Sequence, residues 1–372
     1  MSLQRSAPAS RLERIAQARQ VTLHNLGGAQ SGLVEPWIEQ SWQRCLSRGQ
    51  RVTDTVVFDP VSRSSMAATA ESNRALVNTA RPIIRQLARA IADTRYFAIL
   101  TNHQGVVVDV DGVIDHSDKR VTSIARVGVD LSEQSVGTTA IGAALTELRP
   151  VWLHRGEHFF NATSVYSCAG APLFGPDGQC VGMLDLTGVE TAERPELKHL
   201  VSQSVRNIEN ALVIQRPHQL LLRVNWPGTA SGLESDGLIG VDEDGMVVSA
   251  NQAARVLLPE LIQMHQRILH CRDLFATPHE RIVDAAHRQH SLETPLWNGL
   301  RVQVNGQLHE RRISAARRPA APSKLQTGMP LKDFETTLIR QSVDDHKGNV
   351  AEAARALGIS RATVYRKLKP RR

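Results

Sequence analysis

No run of about 18 uninterrupted apolar residues occurs in the 372 residues, so the sequence contains no helix suited to crossing a bilayer. Cysteine is scarce. Cys45, Cys168, Cys180 and Cys271 lie far apart and never form CxxC, which argues against a disulfide framework and a zinc knuckle and leaves reduced thiols as the expectation. Residues 1–19 are polar, with no apolar core and no small-residue cleavage site, so a secretory leader is not expected and the cytoplasm is. No GxxxxGKS or GxxxxGKT segment is present, nor any Gly-Lys dipeptide, so no phosphate-cradling loop is seen.

What is present is a globular balance, 41% hydrophobic and 22% charged, in a chain long enough for two or three domains. The net charge of +7 is uneven. From Arg311 onward 15 Lys and Arg stand against 5 Asp and Glu, whereas residues 1–310 hold 29 against 32. The basicity belongs to the tail, as a local nucleic-acid footprint requires.

The patterning predicts a multidomain α+β protein. Residues 1–80 read as an N-terminal helical region, with Leu12, Ile15, Ala16 and Arg19 on one face and Trp37, Ile38, Trp42, Cys45 and Leu46 on another. A further helix is expected near 70–76. Residues 81–215 carry a helix through Ile83, Ile84, Leu87 and Ile91, strands at 97–101, 106–110, 150–154, 169–174 and 181–186, a helix over 137–148 and a closing helix over 197–214. After a breaker-rich connection around Trp226-Pro227-Gly228, residues 232–312 read as a smaller hairpin-and-helix unit. Strands are expected there at 238–241 and 246–250, and a hairpin turning at Asn305-Gly306 closes it. Residues 314–328 lack an apolar period and hold prolines, as a flexible linker does.

Residues 329–372 read as three short helices. Leu331, Phe334, Leu338, Ile339 and Val343 form an apolar stripe; Asn349 caps a second helix bearing Val350, Ala353, Ala354 and Leu357. Gly358 supplies a turn, Ser360 caps a third helix over 361–369, and Val364 and Leu368 face inward. A helix held by those core residues turns Ser360, Arg361, Ala362, Tyr365 and Arg366 towards base edges. Thr363, Lys367, Lys369, Arg371 and Arg372 are then placed to reach phosphates. A solvated basic tail is the plainer reading, but spacing, capping and charge agree on the helix-turn-helix.

Residues 348–368, Gly-Asn-Val-Ala-Glu-Ala-Ala-Arg-Ala-Leu-Gly-Ile-Ser-Arg-Ala-Thr-Val-Tyr-Arg-Lys-Leu, resemble the Fis-type helix-turn-helix that ends many sigma-54-dependent activators. That resemblance implies a homodimer on a palindromic double-stranded DNA operator. Residues 81–215 resemble the GAF domain of acetoin/glycerol-metabolism regulators through Gly137-Thr138-Thr139-Ala140-Ile141-Gly142, Glu157-His158-Phe159 and Cys168-Ala169-Gly170-Ala171-Pro172. The upstream Ser41-Trp42-Gln43-Arg44-Cys45 resembles that family's N-terminal helix. Thr139, Gly170 and Leu131 depart from the usual Asn, Ala and Trp. Asp236 to Gly245, followed by Ala250-Asn251-Gln252-Ala253-Ala254, resembles the first hairpin and helix of a PAS domain.

The resemblance points to a small-molecule effector of diol, ketol or aldehyde class, for which Gly137, Thr138, Thr139, Glu157, His158 and Cys168 are the candidate ligand-binding residues. Two plainer roles stand beside this: the Gly/Thr block caps and packs a helix, and His158 is a satisfied surface or core histidine. His116, His154, His158 and Cys168 lack the spacing of a metal site, so no metal, cofactor or catalytic residue is expected. The family's ATPase module has no counterpart between 314 and 328. The expected function is a one-component DNA-binding regulator that senses a metabolite without hydrolysing ATP, partnered by RNA polymerase or a paralogous activator. Two alternatives remain: a co-regulator or adaptor acting by protein contact, and an enzyme using Cys168 with His158.

Overall fold

The described residues of the computed structural model are 10–24, 31–58, 61–229, 232 and 236–309, with 343, 349, 350, 354, 361, 363 and 364 nearer the C terminus. They fall in two compact units, 1–310 and 311–372. In the larger unit a capping box opens α1 (Arg11–Arg19): Ser10 Oγ accepts from the amide of Glu13, whose carboxylate accepts from the amide of Ser10. Then come α2 (Pro36–Ser47), with proline in its first turn, and α3 (Arg63–Ser72). Helix α4 (Arg74–Ala90) runs through Pro82, past the sequence-predicted start at 81. Its buried stripe of Leu76, Ala80, Ile84 and Leu87 continues across the proline, and packing outweighs the missing N–H.

The strands β1 (Tyr96–Asn102) and β2 (Val107–Gly112) form a hairpin whose turn is held by Asn102, its Oδ1 accepting from the amides of Gln104 and Val106. Three short helices follow, α5 (Lys119–Ile124), α6 (Glu133–Val136) and α7 (Ala140–Glu147), then β3 (Val151–His154), β4 (Tyr166–Phe174), β5 (Cys180–Val189) and α8 (Leu197–Gln215). The five strands make one antiparallel sheet in the order β2-β1-β5-β4-β3. Both of its faces are covered. Ala98, Leu100, Leu184 and Leu186 pack with α4 and α8, while Phe97, Ile99, Cys168 and Met183 pack with α2 and α7. Burial on both sides is why β1 reads as an unbroken apolar run rather than an alternating one.

The second sheet orders as β8-β7-β6-β10-β9, all antiparallel: β6 (Leu220–Asn225), β7 (Gly237–Val241), β8 (Val247–Ala250), β9 (Leu292–Pro295) and β10 (Arg301–Leu308). Helices α9 (Gln252–Leu257), α10 (Cys271–Leu274) and α11 (His279–His287) lie within this part of the chain, and their apolar residues join the core of its sheet. Asn305-Gly306 is not the expected hairpin turn: it lies inside β10, paired with Arg223 and Leu222 of β6. A Cβ on Gly306 would stand 2.6 Å from the Cβ of Ala286, so its glycine serves the close approach of α11 to the sheet. The actual turn is at 296–300, where Gly299 has φ +85°. Strand β6, the middle strand, was not expected from the sequence. The connection 226–236 separates it from β7, and its other neighbour, β10, lies far along the chain, so no tight hairpin announces it.

The β4–β5 turn joins the two sheets. Pro176 O accepts from the amide of Ala250 at 2.9 Å and from Arg255 Nη2 at 2.9 Å, and the buried carboxylate of Glu209 on α8 accepts from the amide of Phe174 at 2.9 Å. In the smaller unit Ala354 and Val364 are buried against each other, with Val343 and Val350 packed on them, as the expected helix-turn-helix core requires.

Candidate ligand cavity

Between the first sheet and the α6–α7 segment lies a cavity with about 30 Å³ open to the centre of a water-sized sphere. Its wall is mostly apolar, with Phe58, Ile99, Leu131, Val136 and Ile141. Seven polar side chains interrupt it: Thr139, His158, Thr163, Tyr166, Cys168, Asp185 and Thr187. Their arrangement follows from strand geometry. Asp185 and Thr187 are two apart on β5 and so face the same side, and Cys168 on β4 stands directly opposite Thr187. Thr139 caps α7 above them, its Oγ1 accepting from the amide of Gly142 at 3.1 Å.

His158 is buried. Its Nδ1 lies 2.9 Å from Arg155 O, which must accept a proton from it, so Nε2 is left as an acceptor 3.6 Å from Cys168 Sγ. Burial lowers the imidazole pKa to about 4 and pushes the Cys168 thiol well above the ordinary range, with the charge of Asp185 adding to it. The pair is therefore neutral thiol and neutral imidazole, the opposite of an activated cysteine nucleophile. Sequence spacing had given Cys168 no activating partner. The fold supplies a neighbour but not the activation.

Asp185 is the residue that sequence reading missed. It is fully buried; Thr187 Oγ1 donates to its Oδ2, while its Oδ1 has no partner. Burial raises its pKa to about 7, with no cation to offset it. An aspartate inside an apolar strand is the one signal that could have marked it, and only the register shows which face it takes. Tyr166, also missed, donates to Arg120 O at 3.0 Å, and burial pushes its phenol up to about 12.

Of the expected ligand-binding residues, Thr139, His158 and Cys168 line the cavity, and Gly137, Thr138 and Glu157 do not. Gly137, at φ +69°, ends α6, and a Cβ there would meet the ring of Phe160 at 2.7 Å. Thr138 Oγ1 lies 2.7 Å from Ser41 Oγ. The Glu157 carboxylate takes two 2.8 Å bonds from Arg11 and one from the amide of His154; burial nevertheless holds its pKa above the ordinary range. These three build the cavity's surroundings.

Helix α2 is pinned to the same segment. Glu133 receives Arg44 at 2.9 and 2.7 Å, Arg48 at 3.0 Å and Ser41 at 2.7 Å. Burial pushes the Glu133 carboxyl up, but the bonds from Arg44 and Ser41 outweigh it and hold it below the ordinary value. Gly142 packs against Glu133, 2.8 Å from a Cβ it does not carry. Trp42 Nε1 donates to Glu157 O at 2.8 Å, and Arg19 donates to the carbonyls of Gly156, His158 and Phe159. The Ser-Trp-Gln-Arg-Cys run thus clamps both segments that wall the cavity.

In the tail, Arg361 is exposed, as a base-reading side chain must be, one turn from the buried Val364. Ser360, Ala362, Tyr365, Arg366, Lys367 and Lys369, with Arg371 and Arg372, lie outside the described residues. Among the described residues no group of three His, Cys, Asp or Glu side chains is placed to hold a metal, and none of their helices is long and apolar enough to cross a membrane.

The profile of the MimR, N-terminal domain family matches residues 14–210, more than half of the chain. The chain belongs to that family. The profile of bacterial regulatory proteins of the Fis family matches residues 330–369, so a Fis-type helix-turn-helix follows the MimR-type domain. The signal-transduction and transcriptional-control protein of Clostridium beijerinckii is 25% identical over 218 residues, 58% of this chain and 34% of that protein. The acetoin catabolism regulatory protein of Cupriavidus necator is 28% identical over 234 residues, 59% of this chain and 34% of its own length. The propane 2-monooxygenase operon transcriptional activator MimR of Mycolicibacterium goodii is 28% identical over 200 residues, 53% and 33%. The match with the MimR-type chain therefore spans about a third of these relatives. All three are transcriptional regulators by name.

Proposed function

We propose that this chain is a sequence-specific DNA-binding transcription regulator, in which the domain around the first sheet is a GAF-type sensor of a small metabolite and the second sheet a PAS-type unit. The observation that carries the sensor reading is the cavity itself: a mostly apolar space into which a buried carboxyl, a neutral histidine and a neutral thiol converge. Thr139, His158, Cys168 and Asp185 are the effector contacts in this reading, and the effector is of the diol, ketol or aldehyde class. The Fis-type tail carries the DNA reading. Ser360, Arg361, Ala362, Tyr365 and Arg366 read bases, and Thr363, Lys367 and Lys369 hold phosphates. The chain works in the cytoplasm as a homodimer on a palindromic operator. It acts without hydrolysing ATP, since residues 314–328 hold no phosphate loop between sensor and tail. RNA polymerase or a paralogous activator is the protein it addresses.

A neutral thiol–imidazole pair in a mostly apolar cavity favours binding over turnover. A gel shift on DNA adjoining the gene, repeated with Arg361→Ala and Arg366→Ala, tests the tail: each variant should lose about 1–3 kcal/mol of specific binding, and unchanged binding overturns the base-reading assignment. A thermal-shift screen of small diols, ketols and aldehydes tests the sensor, which should be stabilised without consuming the compound.

A further inference from the structure

The protons of the groups on and around the β4–β5 face of the cavity can be followed one at a time; Thr163 gives its own to Phe160 O, and Thr139, across the space on α7, accepts from the amide of Gly142. His158 Nδ1 gives its proton to Arg155 O, so the Cys168 thiol can donate to Nε2. Thr187 gives its hydroxyl proton to Asp185 Oδ2. Tyr166 gives its own to Arg120 O. One acceptor is left over: Asp185 Oδ1, fully buried and without a partner, on a residue that itself lines the cavity. A buried carboxylate oxygen in this state costs free energy until something donates to it.

We infer that Asp185 is the anchor for a hydroxyl of the effector, and that it makes the cavity select small uncharged alcohols over the matching ketones and reject carboxylates and amines. This rests on the sensor reading above and sharpens it. A hydroxyl supplies the single missing donor and adds an apolar body that the Ile99, Leu131 and Ile141 walls cover. A ketone has no proton to give to the ionised carboxylate, the form that prevails above pH about 7. A carboxylate brings a second negative charge to a place where no cation faces Asp185. An ammonium is drawn to Asp185, but it must shed its water to enter the apolar walls and brings three donors to one open acceptor, and that cost outweighs the pairing.

Titration calorimetry on the full chain, run well above pH 7 so that Asp185 is ionised, with one four-carbon skeleton decides the matter: butan-2-ol, butan-2-one, butan-2-amine and butanoate. Butan-2-ol should bind about 10–100-fold more tightly than butan-2-one, the worth of one hydrogen bond to a charged group, and the two ions should give no heat. In Asp185→Asn the amide oxygen takes the Thr187 proton and the N–H groups face the cavity, so the order of alcohol and ketone reverses. Butanoate or the amine binding as tightly as the alcohol overturns the anchor while leaving a sensor, and so does an unchanged order in Asp185→Asn. Silence from all four probes overturns the anchor and the sensor reading together. The wild-type series decides by itself if the variant does not fold.

Discussion

Asp185→Asn should make the protein more stable, and by an amount that grows with pH. The folded state raises this carboxyl from the ordinary 3.8 to about 7 through burial. Below the ordinary value both states hold the proton and nothing is lost. Between the two values the folded state keeps a proton that the unfolded state has released, so stability falls as pH rises through that window; above about 7 the full cost stands. At 1.36 kcal/mol per unit the cost is roughly 1.5 kcal/mol near pH 5 and roughly 4 kcal/mol near pH 8, as upper values. Asparagine retains the bond from Thr187 and removes the charge. Urea denaturation of both proteins at the two pH values measures the difference. Glu209, pushed by burial to about 7 as well, titrates in both proteins and cancels from the comparison. An equal difference at the two pH values, or a variant less stable than wild type near pH 8, refutes the reasoning.

Three further expectations follow from particular contacts. Glu133→Gln unpairs Arg44 and Arg48, both partly exposed, and should cost about 2–3 kcal/mol in denaturant titration; a change below about 0.5 would show that the cluster does not hold α2 in place. Gly306→Ala drives a methyl against Ala286 and should cost about 1–3 kcal/mol, read as a lower melting temperature, and an unchanged value would mean that α11 moves aside freely. Native alkylation followed by mass spectrometry should label half-buried Cys180 before buried Cys45, Cys168 and Cys271, whereas rapid labelling of Cys168 would return the cysteine-enzyme reading to consideration.

Much of this was legible because it is local. The paired strands on either side of Asn102 and of the β4–β5 turn, and the inward Ala354 and Val364, depend on residues close in the chain, and sequence spacing reports such contacts directly. The Ser41–Cys45 motif and the Gly137–Gly142 block were visible as motifs too, though their tie through Glu133 was not. Glu133 looks like an ordinary surface acid until α2, 85 to 92 residues away, brings Ser41, Arg44 and Arg48 to it.

By itself the sequence determined the charged tail, its helix-turn-helix spacing, the α+β alternation and the segments that resemble a sensor. Only the tertiary structure decided which residues of those segments share a cavity. Cross-strand register set Cys168 opposite Thr187 and put Asp185 on the same face, burial made His158 and Cys168 neutral, and the approach of α11 turned Asn305-Gly306 from an expected turn into the interior of a strand. Each depends on which groups meet across long sequence separations and how much water is left between them, and neither is written in local spacing.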